Sequence, residues 1–212
     1  MENKEELEEY ESEFNPLTIE NLRKVKTIAI YGDTGTGKTA LAYKIIETLK
    51  GKKVYFLKHP KPFLLKKLGF NNLVNLESIQ KMQDCIIYID EPQLFLSIYD
   101  RKANKVISQV CSLARQRNIT LIISSSDTRV FTKWNESYFD LWLVKDLDYS
   151  MVKNGSKIKK IYKDNSLLDA NGLRLNDDEY LSESRTLSEF NGKHKFKLSS
   201  NWSEELSTPY RI

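Results

Sequence analysis

Eight consecutive residues, Gly32-Asp33-Thr34-Gly35-Thr36-Gly37-Lys38-Thr39, constrain this chain more than any others. Their spacing, G-x-x-x-x-G-K-[ST], is that of a loop whose backbone N–H groups close around an anion. Glycine is needed there because a side chain would hold those N–H groups away from a phosphate. The surroundings agree: Thr27-Ile28-Ala29-Ile30-Tyr31 reads as a buried strand entering the loop. After it, Leu41, Ala42, Ile45, Ile46 and Leu49 recur at helical spacing. A helix N-terminus adds partial positive charge where a phosphate would lie. The stretch predicts nucleotide binding by Gly32, Asp33, Thr34, Gly35, Thr36, Gly37, Lys38, Thr39 and Ala40. Lys38 is expected on the β- and γ-phosphates and the Thr39 hydroxyl on Mg2+. The competing reading is a glycine turn that happens to precede a helix, and it leaves strand, spacing and helix as coincidences.

A chain of 212 residues is long enough for one sizeable domain and a small appendage. Its two cysteines, Cys85 and Cys111, stand in apolar settings, which argues for a reducing compartment and against a disulfide framework. No apolar run approaches the ~20 residues that a membrane helix needs. The N-terminus is polar and acidic, unlike a secretory signal. The expected location is the cytoplasm, the host's if the chain is viral, with virion association as a further option. Charge is uneven. Residues 1–16 hold seven glutamates and one lysine, a local −6 that leaves +10 for the rest of a chain whose total is +4. Such an arm is either solvated charge for solubility or a partner-contacting segment on a body whose basic surface meets nucleic acid.

Further along, the pattern alternates strands and helices. Val54–Leu57 and Cys85–Ile89 read as the second and third strands, Ile119–Ile123 as the fourth and Leu141–Val144 as the fifth. Short helices are expected over 17–22, Pro62–Leu68 and Leu76–Met82, and a long one over Ala103–Gln116 with a single apolar face. Tyr149–Val152 and Ile158–Tyr162 flank Asn154-Gly155, the signal of a C-terminal β-hairpin. From Asp164 the chain is polar without a clear period. The domain reading is an acidic, disordered arm over 1–16, an ATPase domain with hairpin over 17–164, and a tail over 165–212 packed partly on the core. The fold class is α/β: a mainly parallel sheet with helices on both faces. Gly32, Asp90 and Ser124 each follow a strand, so they should gather at the carboxyl edge where such sheets bind ligands.

Asp90 ends an apolar strand, where a carboxylate is costly without a task. It is expected to hold Mg2+ together with Thr39, against the alternative of a turn-capping aspartate. Glu91 follows it directly. A base beside the metal aspartate suits hydrolysis by an activated water more than transfer to a bound acceptor. Ser124, Ser125 and Ser126 either sense the γ-phosphate and water or simply suit a strand-to-loop junction. Arg115 and Arg117 are the best-placed candidates to offset transition-state charge, with Arg101 and Arg129 as alternates. Each one alone also reads as a cation offsetting a helix C-terminus. Lys153, Lys157, Lys159, Lys160 and Lys163 on the expected hairpin suit phosphate tracking or the protection of an edge strand. Lys193, Lys195 and Lys197 in the tail carry the same signal more weakly. His59 and His194 lack neighbouring ligand patterns, so no transition-metal site is expected.

The order of these residues resembles the FtsK/HerA superfamily of nucleic-acid-pumping ATPases, particularly the small genome-packaging ATPases of membrane-containing icosahedral viruses. The Zot-like phage assembly ATPases are similar over the same stretch. The likeness spans about residues 24–146. It rests on Gly32–Thr39, on Asp90-Glu91, and on a helix ending in Arg115-Gln116-Arg117-Asn118 before an aliphatic strand with small polar residues. The resemblance implies a P-loop sheet of strand order 5-1-4-3-2 and a homo-oligomeric ring, expected as a hexamer. It further implies ATP and Mg2+ as cofactors and translocation of double-stranded DNA into a viral capsid, with a capsid or membrane protein of the virion as a further partner. By the same resemblance Lys38, Thr39, Asp90 and Glu91 match the phosphate, metal and water contacts, and Arg115 or Arg117 matches an arginine finger. The family usually ends its fourth strand in glutamine; here Ser126 stands in that place as the candidate γ-phosphate contact. Alternative readings are a Zot-like assembly ATPase and an ATP-dependent switch without translocation.

Overall fold

The computed structural model describes residues 16–97, 99–133, 136–146, 161 and 175–207. The expected hairpin over Tyr149–Tyr162 and the acidic residues before Asn15 fall, almost entirely, outside these residues. Within them, one eight-stranded sheet carries the fold. Its strands are β1 (Thr27–Tyr31), β2 (Lys53–Leu57), β3 (Asn71–Leu73), β4 (Cys85–Asp90), β5 (Thr120–Ser125), β6 (Leu141–Val144), β7 (Glu179–Ser184) and β8 (Gly192–Lys195). They lie in the order β3-β2-β4-β5-β1-β6-β7-β8. The five strands read from the sequence are adjacent in the expected order, and all pair in parallel. The structure adds β3 beyond β2 and an antiparallel C-terminal pair, β7 and β8, beyond β6.

The three central strands β4, β5 and β1 are buried at every position. Continuous apolar runs are what a sheet covered on both faces requires. Strand alternation sorts their side chains. Ala29, Tyr31, Ile87, Ile89, Leu121 and Ile123 join one core with Ala103, Val106, Ile107 and Val110. Ile28, Ile30, Ile86, Tyr88 and Ile122 join the other with Leu41, Ala42, Ile45 and Ile46. The helices that cover these faces are α1 (Ile19–Lys24), α2 (Lys38–Thr48), α3 (Pro62–Lys67), α4 (Arg101–Leu113), α5 (Thr128–Lys133) and α6 (Glu204–Ser207). The long helix α4 starts two residues before the expected Ala103 because the Asp100 carboxylate caps it, accepting from the N–H groups of Lys102 (2.8 Å) and Ala103 (3.4 Å). It ends at Leu113, three residues short of the expected Gln116. The chain then turns through Asn118 in a left-handed conformation to enter β5. Among the described residues, no helix is long and apolar enough to cross a membrane.

His59 closes the end of β2 and is buried at 5% exposure. Its Nδ1 accepts from the Lys61 N–H (3.1 Å) and its ring stands edge-on to Phe56. Burial lowers its pKa to about 4. A folded pKa below the unfolded value means that the unfolded chain takes up the proton first as pH falls. This group's stabilisation is therefore present above pH 6.5 and lost toward pH 4. Through His59 alone the protein should be about 2 kcal/mol less stable at pH 5 than at pH 7. Urea melts at the two pH values should show that gap in the wild type and a smaller one in His59→Asn.

Candidate nucleotide site

The parallel register brings the carboxyl ends of β1, β5 and β4 to one edge: Ile30 and Asp90 both pair with Ser124. From β1 the chain enters the loop at Gly32. A Cβ there would lie 2.7 Å from Lys145 Cβ and 2.9 Å from Thr36 Oγ1, so only glycine passes. Gly35 and Gly37 both take φ of 86°, a conformation that side chains disfavour. The loop is tied internally by Thr36 Oγ1 donating to the Asp33 carbonyl (2.8 Å), and externally by the Asp33 N–H donating to the Asp146 carbonyl (3.0 Å). Thr34 and Gly35 form its exposed crown, and Ala40 is buried in the first turn of α2.

Lys38, 6% exposed, donates to the Asp33 carbonyl (2.9 Å) and pairs with Glu91 Oε1 at 3.0 Å. The sheet thus unites the two residues that the sequence nominated for phosphate and water. Asp90 is buried at the tip of β4. Its Oδ1 accepts from Tyr88 Oη (2.9 Å) and from the Ser124 hydroxyl, and its Oδ2 faces Thr39 Oγ1 at 3.5 Å. Burial raises the Asp90 pKa, and the neighbouring Glu91 charge pushes the same way against these hydrogen bonds. The Thr39 hydroxyl and the Asp90 carboxylate put two hard oxygen donors side by side. That donor set fits Mg2+, which binds few protein groups and takes its remaining oxygens from phosphate and water. Among the described residues there is no cluster of three or more His, Cys, Asp or Glu that would instead form an all-protein metal cage.

Glu91 adopts φ 41°, ψ 57°, a left-handed conformation strained for a side-chain-bearing residue. The turn aims its carboxylate back over the sheet edge. Oε2 accepts from the Ser126 N–H (2.9 Å), the Ser126 hydroxyl (3.1 Å) and the Gln93 amide. Ser126 is therefore placed on Glu91 itself.

Arg115 and Arg117 are not brought to this cluster. Arg115 pairs with Asp140 (2.9 Å), and Arg117 binds the Gln80 carbonyl while its own carbonyl accepts from the Asp84 N–H (2.9 Å). Asp84 and Asp140 precede β4 and β6, so both arginines lie at the amino edge of the sheet. The length of β5, about 20 Å at roughly 3.3 Å per residue, separates them from Glu91. Arg129 sits at the near edge in a two-pronged pair with Asp127. Arg101 is exposed at the start of α4.

Three site residues escaped the sequence reading. Tyr88 shares a strand face with Asp90, two residues away, which period-two alternation could have revealed. Gln93 stands three residues after Asp90 on a one-turn helix opened by Pro92. Lys145 follows the apolar β6 directly and is 1% exposed. It donates to the carbonyls of Asn176 (3.3 Å), Asp177 (2.7 Å) and Glu179. It thereby ties the phosphate loop to the entry of β7.

The comparisons agree with this architecture. A family model described as Type III restriction enzyme, res subunit, matches residues 3–144. The genome packaging NTPase B204 from Sulfolobus turreted icosahedral virus 2, solved with sulfate, is 14% identical at a TM-score of 0.59, covering 82% of this chain and 98% of that one. The same protein solved with ATP-gammaS is 13% identical at a TM-score of 0.53, covering 76% and 93%. The cytoplasmic domain of the type VII secretion ATPase EccC of Thermomonospora curvata is 11% identical at a TM-score of 0.52. That alignment covers 78% of this chain but only 23% of EccC's. At these identities the likeness is one of fold, the P-loop NTPase fold that the FtsK/HerA resemblance implied. No curated protein matches the sequence.

Proposed function

We propose, on the premise that this chain belongs to the family described as Type III restriction enzyme, res subunit, that it hydrolyses ATP with Mg2+ and uses the hydrolysis to move double-stranded DNA. The observation that carries the reading is the meeting of Lys38, Asp90 and Glu91 at the carboxyl ends of β1 and β4, the two strands that flank β5. The N–H groups of residues 34–39 would cradle the phosphates, with Lys38 leaving Glu91 to meet the β- and γ-phosphates. Thr39 and Asp90 would hold Mg2+, which when bound supplies charge neutralisation to the phosphate oxygens. Glu91 would then take a proton from a water as the water oxygen bonds to the γ-phosphorus. The bond to the bridging oxygen breaks, giving ADP and inorganic phosphate.

Three observations support the finer reading. The chain outside residues 1–16 carries +10, suited to a phosphate backbone. The fold likeness to a genome packaging NTPase extends over almost all of that protein, which favours packaging of a viral genome. The third is the placing of Arg115 and Arg117 at the far edge. Neither serves its own chain's nucleotide, so a finger would come from a neighbouring subunit in a homo-oligomeric ring, a hexamer in this reading.

The test is ATP turnover by the purified protein with and without double-stranded DNA, over a salt series. The expected result is Mg2+-dependent turnover that DNA stimulates, with the stimulation fading as salt rises. Turnover indifferent to DNA would overturn the translocation reading and favour an ATP-dependent switch.

A further inference from the structure

We propose that Gln93 is the positioning residue for Glu91, holding one carboxylate oxygen so that the other faces the attacking water. This inference rests on the ATPase reading above. The two oxygens of Glu91 are bound differently. Oε1 meets the Lys38 ammonium (3.0 Å), a group that a bound nucleotide draws away. Oε2 meets the Ser126 N–H, the Ser126 hydroxyl and the Gln93 amide, on the side away from Lys38. When Lys38 departs, Oε1 is freed and Oε2 stays anchored. Oε1 is thus the oxygen that receives the water's proton.

Gln93 suits the task because its own orientation is fixed. Its side-chain oxygen accepts from the Ser125 hydroxyl (2.9 Å), which turns the amide NH2 toward Glu91 Oε2 and Ser126 Oγ (3.4 Å). A chain of hydrogen bonds runs from β5 through Ser125 and Gln93 to Glu91. The backbone reinforces it, with the Glu91 N–H donating to the Ser124 carbonyl (2.9 Å) and the Leu94 N–H to the Glu91 carbonyl (3.0 Å). Without the Gln93 amide, a glutamate on a strained left-handed turn keeps only the Ser126 contacts and can swing off line. The arrangement also makes the nucleotide-free protein self-capped, because Lys38 occupies the oxygen that would act as base.

The experiment compares kcat, KM and the Kd of a non-hydrolysable ATP analogue in wild type, Gln93→Ala, Gln93→Glu and Ser125→Ala, with Glu91→Gln as control. Gln93→Ala and Gln93→Glu should both lose roughly ten- to a hundred-fold in kcat with the analogue's Kd unchanged, and Ser125→Ala should lose less. A packing role would be satisfied by the isosteric Glu, whereas a donor role would not. Normal kcat in Gln93→Glu, or losses in kcat matched by equal rises in Kd, would overturn the assignment. A wild type without Mg2+-dependent turnover would overturn the ATPase reading and this inference together. A wild type silenced by Glu91→Gln but indifferent to both Gln93 variants would overturn this inference alone.

Discussion

Glu91→Gln should lower ATP turnover by about two orders of magnitude or more while leaving the affinity for a non-hydrolysable analogue equal or slightly tighter. The amide cannot take a proton from water, so the general-base contribution is lost outright. Its oxygen can still accept from the Ser126 N–H, so the loop geometry survives. In the resting protein Lys38 is held by Glu91 at 3.0 Å, a pair that a nucleotide must break before Lys38 can reach phosphate. Removing the negative partner removes that competition, hence the expectation of undiminished binding. The Asp90 carboxyl loses a like-charge neighbour, which offsets part of what the lost ion pair with the nearly buried Lys38 costs. Thermal melts should accordingly shift little. Single-turnover kinetics and analogue titration check the prediction. A parallel collapse of binding and turnover would instead mean that Glu91 shapes the phosphate loop.

The phosphate loop and central sheet were legible because their signals are local. A strand, a glycine loop and an amphipathic helix fall within residues 26–50, and each apolar strand announces itself. Asp90 and Ser124 were placed at one edge because each ends a strand, and the register then pairs them directly. What stayed hidden depends on contacts between distant residues. β7 is buried by pairing with β6 and by the cap that Lys145 makes on its entry, and neither can be read in Glu179–Ser184 itself. β8 alternates between half-buried and exposed residues, and Lys193 on it pairs with Glu179 (3.2 Å), so the polar stretch that showed no period in the sequence forms an edge strand of the sheet. Gln93 gives no sequence hint of its partners, since Ser125 and Ser126 lie more than thirty residues away. The same long-range geometry moved Arg115 and Arg117 to the amino edge. The helix that precedes them runs back across the sheet and ends at Leu113 before β5 begins, so nearness to the Ser124–Ser126 stretch in sequence becomes distance in space.

Lys145→Met should change global stability by no more than about 2 kcal/mol yet weaken nucleotide binding, even though methionine nearly matches the length and volume of lysine. The ammonium is the donor for the carbonyls of Asn176, Asp177 and Glu179, and it lies 5.2 Å from the centre of the Phe196 ring. The Glu179 carbonyl is bonded in a buried setting, and leaving it without a donor costs about 1–3 kcal/mol, whereas Asn176 and Asp177 are exposed residues whose carbonyls water can serve. Against that stands the cost of burying the charge: burial lowers the Lys145 pKa to about 8 despite the opposing pull of Asp177, Asp178, Glu179 and Asp146. The depression is worth about 3 kcal/mol, which the apolar side chain recovers. The two effects are similar in size, so what the substitution loses falls on the phosphate loop rather than on global stability. Gly32 packs on Lys145 Cβ, and the Asp177 carbonyl walls Gly37 at 3.3 Å from where a Cβ would stand. Releasing the Asn176–Glu179 turn therefore loosens the cradle from behind. A second signature separates this role from general packing. Because the folded pKa lies below the unfolded one, the unfolded chain binds the extra proton between about pH 8 and 10, and the wild type gains stability from this group as pH rises through that window. Lys145→Met should lose that rise, so denaturant melts at pH 8 and 9.5 should converge in the variant and diverge in the wild type. Equal slopes in the two proteins would mean that the Lys145 charge is not held among these carbonyls.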